Sequence, residues 1–405
     1  LTKEQIMKTQ TPVKEHTVEL QRREFLQLLG TSALGLALSG AGCASKPSGT
    51  PIAVANRAEQ PPTGAGPRSG PKPLRGLFPI GETPYTADDK LDTESLANEV
   101  IFCNKARVHG FAWPQVASGW TALKEPERMA GAEAILAAGK GGSTALVIGV
   151  QSTTGNMEEV KRYAEHAASH GADAIVSLPP PGVSDETKLL DYYQQVGKMT
   201  DLPLFVQTQE SMSVDLVVNI YKTVPNARNV KDEASAGGGA LQRITEIRKR
   251  TDDKMLVFSG QGVRTMINEM ELGFSGHCPT VALSDVYAQA YDLWHAGKRR
   301  EAFDMFGRIL AFNSMGSTGR DSIMIVRGIF KHPVHSRNAP AAAGVSYTPE
   351  PGAGGGGRGG GAGGRGGGAG GGRGGGAGGA GSGPQLDDNA LRAALDNYLK
   401  PYLRA

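Results

Sequence analysis

Apolar and polar positions in this 405-residue chain follow a repeating two-part pattern between residues 74 and 340. A short apolar run is followed by a segment whose apolar residues recur three and four positions apart, the spacing of one helix face. "RGLFPIGETP" precedes a helix expected over 93–107, with Leu96, Val100 and Ile101 on one side. "GFAWPQV" precedes 125–139, "STALVIGV" 157–170, "ADAIVSLPPP" 185–199 and "LPLFVQTQ" 214–223. The series continues with "NVKDEA" before 238–250, "KMLVFSG" before 262–271 and "FSGHCPT" before 283–295. Eight strand and helix units in succession predict an α/β fold, one closed (β/α)8 TIM barrel rather than two open sheets. "DVYAQAYDLWHAGKRREAFDMFGRILAF" holds two amphipathic segments around the turn "HAGK" and predicts a C-terminal helical extension.

Both flanks break this pattern. "QRREFLQ" carries the paired arginines Arg22 and Arg23 and leads into "LLGTSALGLAL", a run too short to span a bilayer comfortably. Residues 1–43 resemble a twin-arginine export signal. The signal closes in "SGAGCAS", where Cys43 follows small residues as in a lipoprotein cleavage site. Gly40 stands where that pattern usually has Leu, so ordinary cleavage nearby is the alternative to lipidation of Cys43. Residues 44–73, rich in Pro, Ser, Gly and Ala, lack periodicity and read as a disordered tether. Together these features imply an exported protein of the periplasm or cell envelope, held to the membrane by a lipid anchor.

The second irregular region, 351–384, is so rich in glycine that it cannot bury enough apolar surface to offset the loss of chain entropy. Such a coil, about 33 residues long, spans roughly 30 Å end to end, enough to leave the domain and return. Residues 385–405 resume helical spacing with Leu391, Ala394, Leu395, Tyr398 and Leu399, so the glycine tract reads as a disordered insertion ahead of a last helix of the barrel domain.

The chain carries 43 Lys and Arg against 40 Asp and Glu, a formal +3, and Arg358, Arg365 and Arg373 of the glycine tract account for that excess. Nothing here resembles a nucleic-acid footprint: the chain without those three arginines is about neutral, and no Phe or Tyr is interleaved with the tract's arginines to stack on bases. A small-molecule partner fits better, with a homo-oligomer left open. Cys103 and Cys278 match no metal or redox spacing and read as buried free thiols. No pyridoxal-phosphate, metal or nucleotide motif is present, so no cofactor is expected.

In a barrel, chemistry sits where the strands end. "NARNVKDEAS" places Lys231 near such an end. The order of motifs resembles the dihydrodipicolinate synthase and N-acetylneuraminate lyase family of class I aldolases, from about Arg75 to Pro340 and again at the last helix. The pieces that carry the resemblance are "GLFPIGETPYTADDKLDTESL", "ALKEPERM", "GADAIVSLPPP", "LPLFVQTQ", "NVKDEAS" and "VFSGQG", in that order. The resemblance implies that Lys231 condenses with the ketone of pyruvate or a similar 2-oxo acid, which requires a neutral amine in a desolvated setting.

The departures from the family pattern are as specific as the matches. Gln207, in "FVQTQES", occupies the position of the family's strand-five tyrosine, and a glutamine cannot serve as a general acid or base. The family's Gly-Thr-Thr-Gly-Glu loop reads "QVASG", with Val116 and Ala117 for both threonines and Ser118 as the nearest hydroxyl. "PPPGVSD" lacks the second tyrosine, and the stretch around Met212 lacks the family's arginine. The candidate to fill the emptied relay is Glu82 in "IGETP", with Thr83, Ser118, Gln207 and Gln209 beside it as contacts for a hydroxylated ligand. Glu82 is otherwise a salt-bridged or solvated carboxylate. His277 reads as a packed histidine, and Trp113 and Trp120 as either stacking or core residues. Two functions follow: a lyase or aldolase forming a Schiff base through Lys231 with an oxo acid or sugar-derived ketone, or an inactive barrel that binds a ligand or partner.

Overall fold

Asp, Asn and Ser at the mouths of the strand-to-helix loops set where the helices of this chain begin. Asp92 accepts from Ser95 N, Asn156 from Glu158 N, Asp185 from Thr187 N and Lys188 N, and Ser213 from Leu216 N. Each satisfies backbone donors that the first turn leaves without intrahelical partners. The computed structural model describes residues 71–209, 212–234, 240–260, 263–315, 320–337 and 386–404. The expectations for 1–43, for 44–70 and for 351–384 lie outside the described residues, as does Cys43.

Strands and helices alternate along the chain. The first half holds β1 (Gly76–Leu77), α1 (Thr93–Ala106), β2 (Gly110–Trp113), α2 (Glu125–Ala138), β3 (Ala145–Gly149), α3 (Met157–Ser169), β4 (Ala174–Ser177) and α4 (Glu186–Val196). The second holds β5 (Leu204–Gln207), α5 (Val214–Thr223), β6 (Asn229–Asp232), α6 (Ala240–Arg250), β7 (Leu256–Ser259), α7 (Met266–Glu271), β8 (Gly276–His277) and α8 (Ser284–His295). The eight strands form one parallel sheet in the order β1-β8-β7-β6-β5-β4-β3-β2. The ends meet where Ile80 bridges Ala112 and where Gly81 N donates to Ala112 O and Ala112 N to Pro79 O, each at 3.0 Å. The fold is a (β/α)8 barrel.

Its interior is filled by three aromatic rings. Phe78, Phe205 and Phe258 stand with centroids 5.1 to 5.9 Å apart, in tilted and edge-on pairs. Val147, Val176 and Ile80 surround them. Two glycines make room: a Cβ on Gly110 would fall 2.3 Å from the Phe78 ring, and one on Gly276 2.3 Å from the Phe258 ring. The barrel is thus a packed core, and ligand access is confined to its ends.

Three expectations are adjusted. Ile101 is 40% exposed while Leu96 and Val100 are fully buried, because Leu96, Val100 and Cys103 already form the inward stripe of α1. The seventh helix is only Met266–Glu271, since Val263 sits at φ 57°, outside the helical region. The tether boundary at 73 is too late: Lys72 Nζ donates to Thr144 O at 2.9 Å and pairs with Asp173 at 3.0 Å, so the domain already holds the chain there.

Beyond α8, a turn at Gly297 leads into α9 (Arg299–Asn313), which packs Ala302, Met305, Phe306, Ile309 and Phe312 inward. Then come α10 (Arg320–Val326) and α11 (Asp388–Tyr398). Arg327 makes a bidentate pair with fully buried Asp285 at 2.8 and 2.9 Å, and the Arg404 backbone N donates to the same carboxylate at 3.0 Å. Arg337 reaches Glu127 and Asp89, and Leu391, Leu395 and Leu399 join the core. The described residues on both sides of the glycine tract therefore pack on one domain. No helix among the described residues is long and apolar enough to cross a membrane.

Candidate active site

Strand alternation builds one wall of the barrel mouth. Val230 joins the core between sheet and helices, and Asp232 reaches out to Arg243 of α6 with Nε–O distances of 3.0 and 3.2 Å. Lys231, between them, points into the barrel, in register with Gln207 of β5 and Phe258 of β7. It is 5% exposed. Two positions on, Glu233 returns to the same side, and its Oε1 lies 2.9 Å from Lys231 Nζ. Gln207 Nε2 donates to the other carboxylate oxygen, Oε2, at 3.0 Å.

The loop that carries Glu233 is held by a hydroxyl. Thr208 Oγ1 donates to Asp232 Oδ1 at 2.7 Å and accepts from Glu233 N at 2.8 Å and Ala234 N at 3.2 Å. Burial pushes the Asp232 carboxyl above the usual range, and the Arg243 guanidinium and Thr208 hydroxyl oppose it without cancelling it. Cys278, just past β8, packs against the barrel interior on the other flank. Burial pushes its thiol up to about 12, with the Lys231 charge opposing.

The residues after β1 and β2 form a second group at the same end of the strands. Glu82 is buried, and its backbone N donates to Glu99 Oε2 at 3.0 Å. Thr83 Oγ1 accepts from Trp113 Nε1 at 3.0 Å. Ser118 Oγ donates to Gly81 O at 2.7 Å and accepts from Gln115 N at 3.0 Å, so this hydroxyl ties two loops together. Gln209, on the loop after β5, is half-buried, and its Nε2 is buried without a hydrogen bond among the described residues. The candidates therefore fall into a β5–β6 group around Lys231 and a β1–β2 group around Gly81.

Three residues that the sequence reading did not single out belong to this mouth. Glu233 is one. Gln115 and Gln151 are the others: both are buried and donate Nε2 to Pro114 O, at 3.0 and 2.9 Å, beside Gly149. Arg128, stacked 3.9 Å from the Tyr163 ring centroid, fixes that loop by donating to Gln151 O and Gly149 O. The Oε1 atoms of Gln115, Gln151 and Gln207 are all buried and accept no hydrogen bond from the described residues. The alternation that places Lys231 inward also places Glu233 inward, and that was the available signal.

Other candidates turn out to support the wall. Trp113 and Trp120 are core residues, the former packed so closely that a Cβ on Gly131 would fall 2.4 Å from its ring. His277 faces the helix layer, fully buried, with Nδ1 2.8 Å from Glu269 Oε2. Burial raises the Glu269 carboxyl, but bonds from His277, Thr265 and Ser259 outweigh it and hold the group below the usual range. Tyr193 of α4 donates its hydroxyl to Ser177 O and Gln207 O, which engages it in the wall. A groove of about 270 Å³, lined by Thr154, Gly155, Pro180, Lys188 and Tyr192, lies between the loops after β3 and β4.

Chemically, the mouth offers an amine beside a carboxylate, which together can attack a carbonyl and move protons. Beside them stands the Gln207 amide, whose oxygen is suited to accept from a ligand hydroxyl. Known proteins share the fold and part of the sequence. The profile of the Dihydrodipicolinate synthetase family matches residues 73–316. An uncharacterized DapA-like lyase of Thermococcus onnurineus is 28% identical over 241 residues, 57% of this chain and 79% of the relative. The 4-hydroxy-tetrahydrodipicolinate synthase of Methanosarcina mazei is 28% identical over 200 residues, 48% of this chain and 65% of the relative. Among solved structures, a prophage protein of the dihydrodipicolinic acid synthase family from Escherichia coli K12, in complex with pyruvate, superposes with a TM-score of 0.58. It is 21% identical, covering 67% of this chain and 94% of that one, a likeness of fold. With the family profile spanning more than half of the sequence and the barrel closed around the expected strands, the chain belongs to the dihydrodipicolinate synthetase family.

Proposed function

We propose that this protein is a lyase that forms a Schiff base between Lys231 and a 2-oxo acid bearing a hydroxylated, sugar-derived chain, and that Glu233 takes the place of the family's tyrosine and threonine relay. The observation that carries the reading is the 2.9 Å contact of Glu233 with Lys231 Nζ inside the barrel mouth. Proton transfer from the ammonium to Glu233 frees the amine lone pair for attack on the ketone carbon. Glu233 then returns the proton to the carbinolamine oxygen, which leaves as water and gives the iminium. In the cleavage direction the same carboxylate removes the proton of the hydroxyl two carbons from the iminium carbon. The carbon–carbon bond breaks, an aldehyde departs, and the electron pair flows into the iminium to give an enamine. Protonation of the enamine carbon by Glu233 and hydrolysis release the second product.

The amide lining supports the hydroxylated class of substrate. Leaving a buried polar atom without a hydrogen bond costs about 1–3 kcal/mol, and a ligand hydroxyl beside Lys231 would satisfy Gln207 Oε1, which accepts none from the described residues. Incubation with pyruvate and with a panel of sugar-derived oxo acids, followed by borohydride reduction and mass mapping, tests the reading. The expected adduct sits on Lys231 and disappears in Lys231→Ala; no adduct with any oxo acid overturns it. One observation favours a second reading, a barrel that binds without turnover: the Ser118 and Thr83 hydroxyls are engaged within the wall. Tight binding of a polyol lacking a carbonyl, with no trapping, would establish that reading instead. The paired arginines Arg22 and Arg23 and Cys43 support export and lipid anchoring of the same protein. Retention of an Arg22→Lys, Arg23→Lys precursor in the cytoplasm would bear out the export.

A further inference from the structure

The outer helix layer carries a cluster that the barrel chemistry does not use. Glu133 of α2 faces His166 and His170 of α3 and its C-cap, and one potential ligand atom from each residue lies within 4.8 Å of the other two. His166 Nε2 is 3.4 Å from Glu133 Oε1, and His170 Nε2 is 4.0 Å from the same oxygen. The two imidazole centroids are 4.1 Å apart. Histidines four positions apart on a helix share one face, one turn above the other.

From this geometry we infer that Glu133, His166 and His170 form a site for a borderline divalent transition metal ion, Zn²⁺ by ligand type, that clamps α2 to α3. Imidazole nitrogen and carboxylate oxygen bind Zn²⁺ at about 2.0–2.2 Å, and a tetrahedral arrangement at that radius sets neighbouring ligand atoms about 3.4 Å apart. The Glu133–His166 separation already has that value, and a small rotation of the His170 ring brings in the third ligand. The tautomer also fits. His170 Nδ1 lies 2.9 Å from His166 O, so Nδ1–H donates to the carbonyl and the Nε2 lone pair is left facing Glu133. Apart from that 3.4 Å contact with Glu133, His166 Nε2 is a buried atom that makes no hydrogen bond among the described residues, a costly placement that a metal ion would relieve.

Position along the helix adds a further term. His166 lies in the last turn of α3 and His170 caps it, where unpaired carbonyls concentrate partial negative charge that favours a cation. The helices run back from the strand C-termini, so this end of α3 lies toward the face of the barrel opposite Lys231. A metal there holds helices together and leaves the chemistry alone, with water completing its coordination. The three ligands come from two helices and include no thiol, so no cysteine or metal-motif spacing in the sequence points to them.

The test uses the full mature chain without a histidine tag. Titration with Zn²⁺ against a chromophoric chelator is expected to show one tight ion per chain, and Co²⁺ to give the intense visible bands of a tetrahedral site. Glu133→Gln, His166→Gln and His170→Gln should each weaken binding by at least about tenfold. Zn²⁺ should raise the melting midpoint of the native chain and leave that of the His166→Gln, His170→Gln double variant unmoved. Metal-free melting of the variants shows whether they fold. Undiminished binding in a folded double variant, or no bound ion in the native chain, would overturn the site.

Discussion

Glu233 Oε1 lies 2.9 Å from Lys231 Nζ although the two side chains leave the backbone two positions apart, and their partnership follows from the period of an extended chain. Asp232 between them turns outward to Arg243, and Thr208 pins the loop so that the Glu233 carboxylate stays over the amine. A carboxylate thus occupies the place beside the lysine where the proposed chemistry needs a proton carrier.

Glu233→Gln keeps the size of the side chain and removes its ability to carry a proton. Exchange of the pyruvate methyl protons with deuterium, followed by nuclear magnetic resonance, reads enamine formation directly. The exchange rate should fall by about a hundredfold to ten-thousandfold, while borohydride trapping on Lys231 persists at longer times. Unchanged exchange would remove Glu233 from the mechanism.

The aromatic plug below the site depends on Gly110. Its missing Cβ leaves space for Phe78, whose ring atoms lie 2.3 Å from where that Cβ would stand. Gly110→Ala should destabilise the fold by about 1–3 kcal/mol in urea titration. Phe78→Leu in the same chain should recover part of that loss, giving a clear coupling energy between the two positions.

His295 is expected to make stability sensitive to mild acid. Burial, with the nearby charge of Arg75 and the rings of His277 and His109, lowers its pKa from 6.5 to about 4, against a smaller opposing effect of Asp292. The unfolded chain therefore takes up a proton below pH 6.5 that the folded chain refuses until about pH 4. Stability should be intact above pH 6.5 and decline as pH falls toward 4, by roughly 3 kcal/mol at most. Urea midpoints at pH 7 and pH 5 compare the native chain with His295→Gln, which should lose most of that decline.

Arg327 and Asp285 bind the segment after α9 to the eighth helix of the barrel. Both side chains are almost wholly buried, with relative exposures of 2% and 0%. Arg327→Met strands a buried carboxylate and should cost about 3–5 kcal/mol. Adding Asp285→Leu should restore a good part of it. Thermal melts of the two variants distinguish this from a simple packing defect, which the second change would worsen.

Much of the architecture is local and was readable along the chain. Apolar runs alternating with helical spacing placed the helices at 93–106, 125–138, 157–169 and 214–223 within a residue or so, because a barrel strand is buried on both faces and a covering helix on one. Ile101 and the shortened seventh helix were misjudged for local reasons too, a crowded inward stripe and a residue at positive φ.

Lys231 was legible as an amine at a strand end, and Gln207 as a departure from the family pattern. What neither the composition nor the motif order contained was the set of partners. Ser118 and Thr83 are hydroxyls in the sequence, but only packing decided that one binds Gly81 O and the other the Trp113 indole. Gln207 ends β5 while Gln115 and Gln151 lie on the loops after β2 and β3, and Glu133 meets His166 across two helices. Periodicity depends on neighbours a few positions apart and is written in the sequence itself. Which donor meets which acceptor depends on barrel closure, which brings together residues far apart in the chain at distances that no spacing encodes.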